Sequence, residues 1–412
     1  MIERVLSRLS LAGLCATLVG NGLGRFAFVA LMPALIQAGW FSKAQASTLG
    51  VATLVGYVFG AAAANRLATR FSCAWLLRLA MIGCAASFFA GAVQDIPMAW
   101  HLAWRTAAGA CGAILMVLPA PIVLPRYDAA LRARASGVVF SGIGLGAALS
   151  GMLVPLLIAA FATTAPSSGL TGAWLGLGVV CLGLTAVAWH AWPADSTIAR
   201  RAGAAEPLPR ELIPVVALLL AAHGLNAIGY LAHTLFLPDY VVRELGMPLS
   251  EGGFFWAMFG LGAALGPMVA GTLADAFGLK RCLLVAFALK AFAAILPVWS
   301  TTPFALLVSS VVMGLCTPGI VAIVSAYALA RVGPLHHARA WGLATSSFAV
   351  AQAAGGALMA LAATRMSSYQ GLFCVSATAL VGSFACIALI REQRARADLP
   401  SPTPTIVTAQ QS

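Results

Sequence analysis

Charge is what this sequence has least of. Only 9% of its 412 residues are Asp, Glu, Lys or Arg, against about 25% in a water-soluble domain. Such a chain cannot cover a water-facing surface, which excludes a soluble globular fold. Its nine Cys stand singly in apolar runs, with no CxxC or CxxH pair. Neither a disulfide framework nor a zinc site is expected, and the thiols read as small buried residues. A GxxxxGK[ST] phosphate loop, an HExxH helix and a Ser-His-Asp arrangement are all missing. Those absences argue against ATP-driven transport on this chain and against a polytopic membrane enzyme. No metal, no cofactor and no catalytic residue is expected. Carboxylates number twelve. Glu3, Asp128, Asp195, Glu206, Glu211, Asp275, Glu392 and Asp398 fall on one side of the apolar runs, and Asp95, Asp239, Glu244 and Glu251 on the other. None is expected inside a span.

What the chain has instead is apolar length: 61% hydrophobic residues and a mean hydropathy of +0.94. Runs of about 20 apolar residues, the length that crosses a bilayer, occur near 9–33, 46–65, 74–93, 98–122, 136–160, 172–192, 213–238, 252–274, 282–299, 303–328, 341–362 and 371–390. Of the 24 Lys and Arg, 18 lie at one set of alternate run ends, and only Lys43, Arg243 and Arg365 at the other. Arg25, Arg105 and Lys290 lie within runs. The positive-inside rule then places both termini in the cytoplasm, as expected of a bacterial inner-membrane protein. The net charge of +12 is a topology signal, and no nucleic-acid partner is expected. The first apolar run is too long for a cleaved export signal.

The chain is also written twice. Ala133-Arg134-Ala135-x-Gly137 returns as Ala338-Arg339-Ala340-x-Gly342, a shift of 205. At that shift Asn21 meets Asn226, Gly24 meets Gly229, Pro33 meets Pro238 and Gly151 meets Gly356; Gly56 and Gly60 meet Gly262 and Gly266 at 206. Two matching halves in a very apolar chain predict a transporter built from two bundles around a central site. The expected division is an N-terminal six-helix bundle over 1–192, a cytoplasmic linker over 193–212, a C-terminal bundle over 213–395 and a disordered tail over 396–412.

Residues 271–281 read Gly-Thr-Leu-Ala-Asp-Ala-Phe-Gly-Leu-Lys-Arg. This resembles the signature loop G-x-L-a-D-x-x-G-x-[KR]-[KR] of the major facilitator superfamily. Gly271 is expected to let helices approach, Asp275 to cap a helix or pair with an Arg, Gly278 to turn the chain, and Lys280 and Arg281 to hold the loop inside. The first-half counterpart, Asn65 to Arg70, lacks the Asp and the turn Gly. Arg105-x-x-x-Gly109 and the glycine-rich stretch from Gly137 to Gly151 resemble further elements of the superfamily. Gly22 to Phe28, followed by Leu31-Met32-Pro33, resembles the first helix of its YbfB/YjiJ-like branch. The resemblance implies an all-α membrane fold of twelve helices in two pseudo-twofold-related bundles, secondary transport by alternating access, and a cavity lined by the first and seventh helices.

Those two helices carry polar stripes at helical spacing. Thr17, Asn21, Arg25 and Phe28 share one face, and His223, Asn226, Tyr230 and His233 share another. A mid-helix arginine costs at least about 2.5 kcal/mol on insertion scales and must face a cavity or a partner. Candidate substrate contacts are therefore Arg25, Asn21, Phe28, Arg105, His223, Asn226, Tyr230, His233, Gln352 and Trp256. Protons are the candidate coupling ion, with His223 and His233 as carriers. Bland alternatives stand beside these: Arg25 and Arg105 as fixed helix ties, His223 bonded to a backbone carbonyl, and Gln352 in a helix–helix hydrogen bond; Lys290, on a helix that the resemblance makes peripheral, is expected to snorkel or pack. Without an acid inside a span, the site should attract a small organic anion. A multidrug or metabolite efflux pump of the same fold is the alternative. A monomer in the lipid bilayer, acting on a small molecule, is expected.

Overall fold

The structure is a computed structural model in which residues 6–162, 168–193 and 208–390 are described. Most of the expected linker and the whole expected tail lie outside these residues. Six spans precede the linker: α1 (Arg8–Gln37), α2 (Lys43–Ala68), α3 (Cys73–Gly91), α4 (Met98–Arg126), α5 (Ala129–Ala162) and α6 (Ser168–Ala188). After it come α7 (Arg210–Glu244), α8 (Leu249–Phe277) and α9 (Leu279–Trp299). The next helical stretch, Pro303–Arg365, is 63 residues long. At 1.5 Å per residue it would run about 94 Å, three bilayer cores. Gly333 breaks it with φ 73°, in the left-handed region that glycine adopts without strain. The stretch is therefore two spans, α10 (303–332) and α11 (334–365), and α12 (Gln370–Leu389) completes twelve among the described residues.

Helix ends follow local chemistry. Ser7 caps α1 by accepting from the Ser10 N–H. Ser42 and Gln45 form a reciprocal capping box at α2, which satisfies two donors that the first turn leaves free. One face of the bundle carries Arg8, Arg66, Arg126 and Lys280 and is here termed the basic face. There the helix ends are tied in pairs: Ser7 to Tyr127, the Arg78 Nε–H to the Trp189 carbonyl, and the Lys280 ammonium to the Ile390 carbonyl at 2.7 Å.

The two halves repeat their contacts as well as their residues. A Cβ placed on Gly56, Gly60 or Gly109 would fall 1.9 to 2.3 Å from a carbonyl oxygen across the α2–α4 contact. At Gly262, Gly266 and Gly314, across α8–α10, it would fall 2.0 to 2.5 Å from one. In lipid, where helices attract mainly by close packing, small residues permit such backbone contact.

Four sequence expectations need correction. A Cβ on Gly271 would meet nothing within 4 Å, so the signature glycine makes no close approach. Asp275 is exposed and does not cap α9, whose N-cap is the turn residue Gly278. The seventh span does not stop at residue 238. It runs through Pro238 into a π-helical turn, Tyr240–Glu244, which brings Asp239 inside the span and wholly out of contact with solvent. Lys290 does not snorkel: it is 0% exposed and points inward.

Candidate substrate site

Both α1 and α7 are interrupted near the middle of their length. α1 passes from an α-helix (Arg8–Thr17) through a π-helical turn (Leu18–Leu23) to a second α-helix (Ala27–Gln37). α7 breaks at Tyr230, between Ile213–Gly229 and Leu231–Asp239. Wide turns inside helices re-aim side chains and recur at functional sites. Arg25 sits at the first break and Tyr230 at the second, and the two are separated by the repeat shift of 205. The Arg25 Nη2–H donates to the Tyr230 hydroxyl at 2.8 Å. Two residues related by a twofold can touch only close to the axis, so this bond marks the centre of the molecule.

The rest of the centre assembles around that bond. Arg25 Nη1 donates to Gln352 Oε1 of α11 at 3.3 Å, and the Tyr230 hydroxyl donates to the same oxygen. The guanidinium lies 5.0 Å from the Phe26 ring centroid. Phe26 meets Trp256 edge-on at 5.5 Å, and Trp256 stacks on Phe259 at 4.7 Å while donating to Ser150 of α5. Along α1 from Cys15 to Leu35, only Arg25 is not fully buried. It opens onto a small cavity between the halves, lined also by Phe28, Met32, Ser47, Leu54 and Thr234. Among the described residues no carboxylate pairs with it; the two ion pairs, Lys43–Glu244 and Arg243–Asp239, lie towards the face opposite the basic one.

Arg105 is placed differently. Its Nη1–H donates to the Gly24 carbonyl at 3.0 Å and its Nη2–H to the Arg25 carbonyl at 3.5 Å, with the guanidinium 4.5 Å over Phe28. It holds the carbonyls exposed by the break in α1, and Phe28 stands between it and the central cavity.

The α7 stripe does not stay on one face, because the break at Tyr230 interrupts it. His223 packs against Phe348 and Trp341 of α11 at 4.9 and 5.8 Å. Asn226 turns into the second half, where its Oδ1 accepts from Lys290 of α9 at 2.8 Å. His233 turns the same way and bonds Ser309 of α10 at 2.8 Å. Arg25, Tyr230 and Gln352 are thus brought together, with His223 next to them; Asn226 joins through Lys290, and His233 turns to α10. Tyr57 of α2 stands beside Asn21, Arg25 and Tyr230.

Sequence reasoning missed Tyr57 and dismissed Lys290. Lys290 Nζ lies 5.3 Å from the Tyr230 ring centroid. The counterpart of Lys290 at the shift of 205 is Ala85, and that of Tyr57 at 206 is Ala263. Neither counterpart is polar, so the repeat carried no signal for this pair. The available signal was simpler: Lys290 is one of only three cations inside the apolar runs.

A second polar cluster lies at the end of α7. Arg243 grips Asp239 through two N–H groups at 2.6 and 2.7 Å, and the Tyr369 hydroxyl also donates to Asp239. Burial and the Asp239 carboxylate push the Tyr369 phenol up, so it stays a donor. Lys43 of α2 bridges the halves: its ammonium lies 3.9 Å from Glu244 and 4.0 Å over the Tyr369 ring.

The family described as "Uncharacterised MFS-type transporter YbfB" matches residues 17–389. Over 93 residues the chain is 31% identical to "Uncharacterized MFS-type transporter YfiU" of Bacillus subtilis (strain 168); that match spans 22% of this chain and 18% of the relative. Among solved structures, the nucleoside transporter NupG superposes with a TM-score of 0.72 at 13% identity, over 93% of this chain and 100% of that one. A bacterial homologue of the human lysosomal transporter Spinster, in an inward-facing and occupied conformation, gives 0.62 at 16% identity, over 92% and 93%. These likenesses establish the fold, and they concern transporters, not enzymes. With the family match spanning nearly all of the described helices, the chain belongs to the YbfB-type family of MFS transporters and is a membrane-embedded secondary transporter.

Proposed function

We propose that this transporter carries a small organic anion, bound at Arg25, Tyr230 and Gln352. One observation carries the reading: the Arg25 guanidinium sits at the centre, partly open, with neutral partners only. A buried cation without a counter-ion draws an anion, and its planar fork matches a carboxylate in two places. The aromatic group of Phe26, Trp256 and Phe259 supplies an apolar wall for the rest of the substrate. The basic face is the cytoplasmic one, by the positive-inside rule. Towards that face α5 and α8 part: a Cβ on Gly151 or Gly144 would strike backbone, whereas one on Gly137 would meet only Met268 at 4.0 Å. Such a splay fits an inward-opening state of a monomer in the inner membrane. Protons couple the cycle through His223, which packs against the ring that stacks on Tyr230.

The test is uptake and thermal-shift binding against a panel of organic acids, amines and lipophilic cations. Arg25→Gln abolishes binding of acids and Arg25→Lys leaves it weakened, with both proteins still folded. Uptake depends on pH, and His223→Gln removes that dependence. Full anion transport by Arg25→Gln, or a preference for lipophilic cations, would overturn the reading in favour of an efflux pump.

A further inference from the structure

Two cations converge on Tyr230 from different halves. Arg25 of α1 lies 5.7 Å from its ring centroid and Lys290 of α9 lies 5.3 Å from it. Each holds a neutral amide by its oxygen: Arg25 holds Gln352, and Lys290 holds Asn226. Those bonds occupy the amide oxygens and leave the NH2 groups free. Gln352 Nε2 and Asn226 Nδ2 are both buried without an acceptor. Among the described residues no carboxylate pairs with either cation. The surroundings of Tyr230 therefore hold two cationic donors and two idle amide donors, and a buried donor left unpaired is costly.

We infer that this site selects an organic anion with two acidic groups, with Lys290 as the second cationic pole. The inference rests on the anion reading and narrows it. One carboxylate meets Arg25 and the amide NH2 of Gln352. The other meets Lys290 and the amide NH2 of Asn226. Both cations lie within 6 Å of one ring centroid, so the two acid groups are separated by a short chain or a single ring. Tyr230 stands at the joint between two helical segments, where a small change of backbone angle moves its ring without unwinding either segment. A monoanion would leave the Lys290 pole uncompensated, and that difference is the source of the selectivity.

The experiment compares matched acids, hexanoate against adipate and benzoate against terephthalate, by thermal-shift titration of the full-length protein. The unmodified protein should bind each diacid at least about tenfold more tightly than its monoacid, because the monoacid leaves buried polar groups unpaired. Lys290→Gln should bring the pair to within about twofold, Lys290→Arg should retain the preference, and Arg25→Gln should lose both acids. Equal binding of the two acids by the unmodified protein overturns the inference whether or not the variants fold. So does a diacid preference that persists in Lys290→Gln. In either case loss of monoacid binding in Arg25→Gln would leave the anion reading intact. If no acid binds and Arg25→Gln changes nothing, both readings fall together.

Discussion

The two halves meet along two seams that the repeat makes equivalent, α5 against α8 and α2 against α11, yet the seams are built differently. In the first, backbones touch. A Cβ on Gly144 would lie 2.2 Å from the Ala264 nitrogen, one on Gly260 2.2 Å from the Ala148 nitrogen, and one on Gly151 2.4 Å from the Gly253 carbonyl oxygen. In the second, a side chain intervenes. A Cβ on Gly356, the repeat counterpart of Gly151, would meet Leu54 Cδ1 at 2.7 Å and Val51 Cγ2 at 3.7 Å. Leu54 itself stands where a shift of 206 places Gly260. Backbone cannot step aside, whereas a leucine tip can change rotamer. A duplicated architecture therefore holds one seam as a fixed pivot and leaves the other able to repack, which suits rocking of one half against the other.

The largest effect should come from filling the pivot. Gly144→Leu would place four carbons where α8 backbone already lies. Overpacking commonly costs about 1–3 kcal/mol, and here neither backbone can yield. We expect loss of monodisperse folded protein, read by size-exclusion chromatography and melting temperature. A stable, active Gly144→Leu protein would show that the seam is not fixed.

Next comes the repeat-matched pair. Gly→Ala inside a helix gains roughly 0.5–1 kcal/mol from backbone conformation alone. At Gly151 the clash with the Gly253 carbonyl outweighs that gain, so Gly151→Ala should lower the melting temperature and transport. At Gly356 the Leu54 tip can turn away, so Gly356→Ala should be neutral or slightly stabilising. Equal losses at both positions would erase the distinction between the seams.

Much of this was legible in the sequence. Apolar runs placed the twelve spans, charge alternation supported their count, and the repeat shift of 205 separates Arg25 from Tyr230. The seams were not legible, because a glycine-rich α5 does not say which partner lacks side chains. Lys290 escaped for a related reason: its direction depends on how α9 packs against α7, and a single-helix pattern contains no such information. The break at Tyr230 also defeated periodicity, since i, i+3, i+7 spacing holds only while the helix continues. Signature residues misled in one respect: Gly271 and Asp275 match the loop of the superfamily, yet neither makes the contact expected of it in this conformation.

A mid-sized effect should separate polar from glycine-based closure. Removing the Tyr369 hydroxyl takes a donor from the buried Asp239 carboxylate, which keeps its two bonds from Arg243. Tyr369→Phe should cost about 1–3 kcal/mol by thermal or denaturant melting, without altering the Gly151 and Gly356 results. Non-additivity with Gly356→Ala would instead couple the polar cluster to the α2–α11 seam.

The smallest effect is expected at the bridge between halves. Lys43 and Glu244 are 24% and 18% exposed and 3.9 Å apart, a distance for attraction more than for a formed hydrogen bond. Glu244 also accepts from the Tyr369 backbone N–H and the Ser368 hydroxyl, bonds that a glutamine oxygen can keep. Glu244→Gln therefore removes the charge and little else. Ion pairs that water still reaches contribute about 0–1 kcal/mol, so a double-mutant cycle with Lys43→Gln should give a coupling inside that range and shrink in high salt. Because α2 is the movable side, a weak, screenable link there is what repeated separation requires. A coupling of several kcal/mol, insensitive to salt, would mean that charge and not side-chain packing holds the α2 seam, and would reverse which side is the pivot.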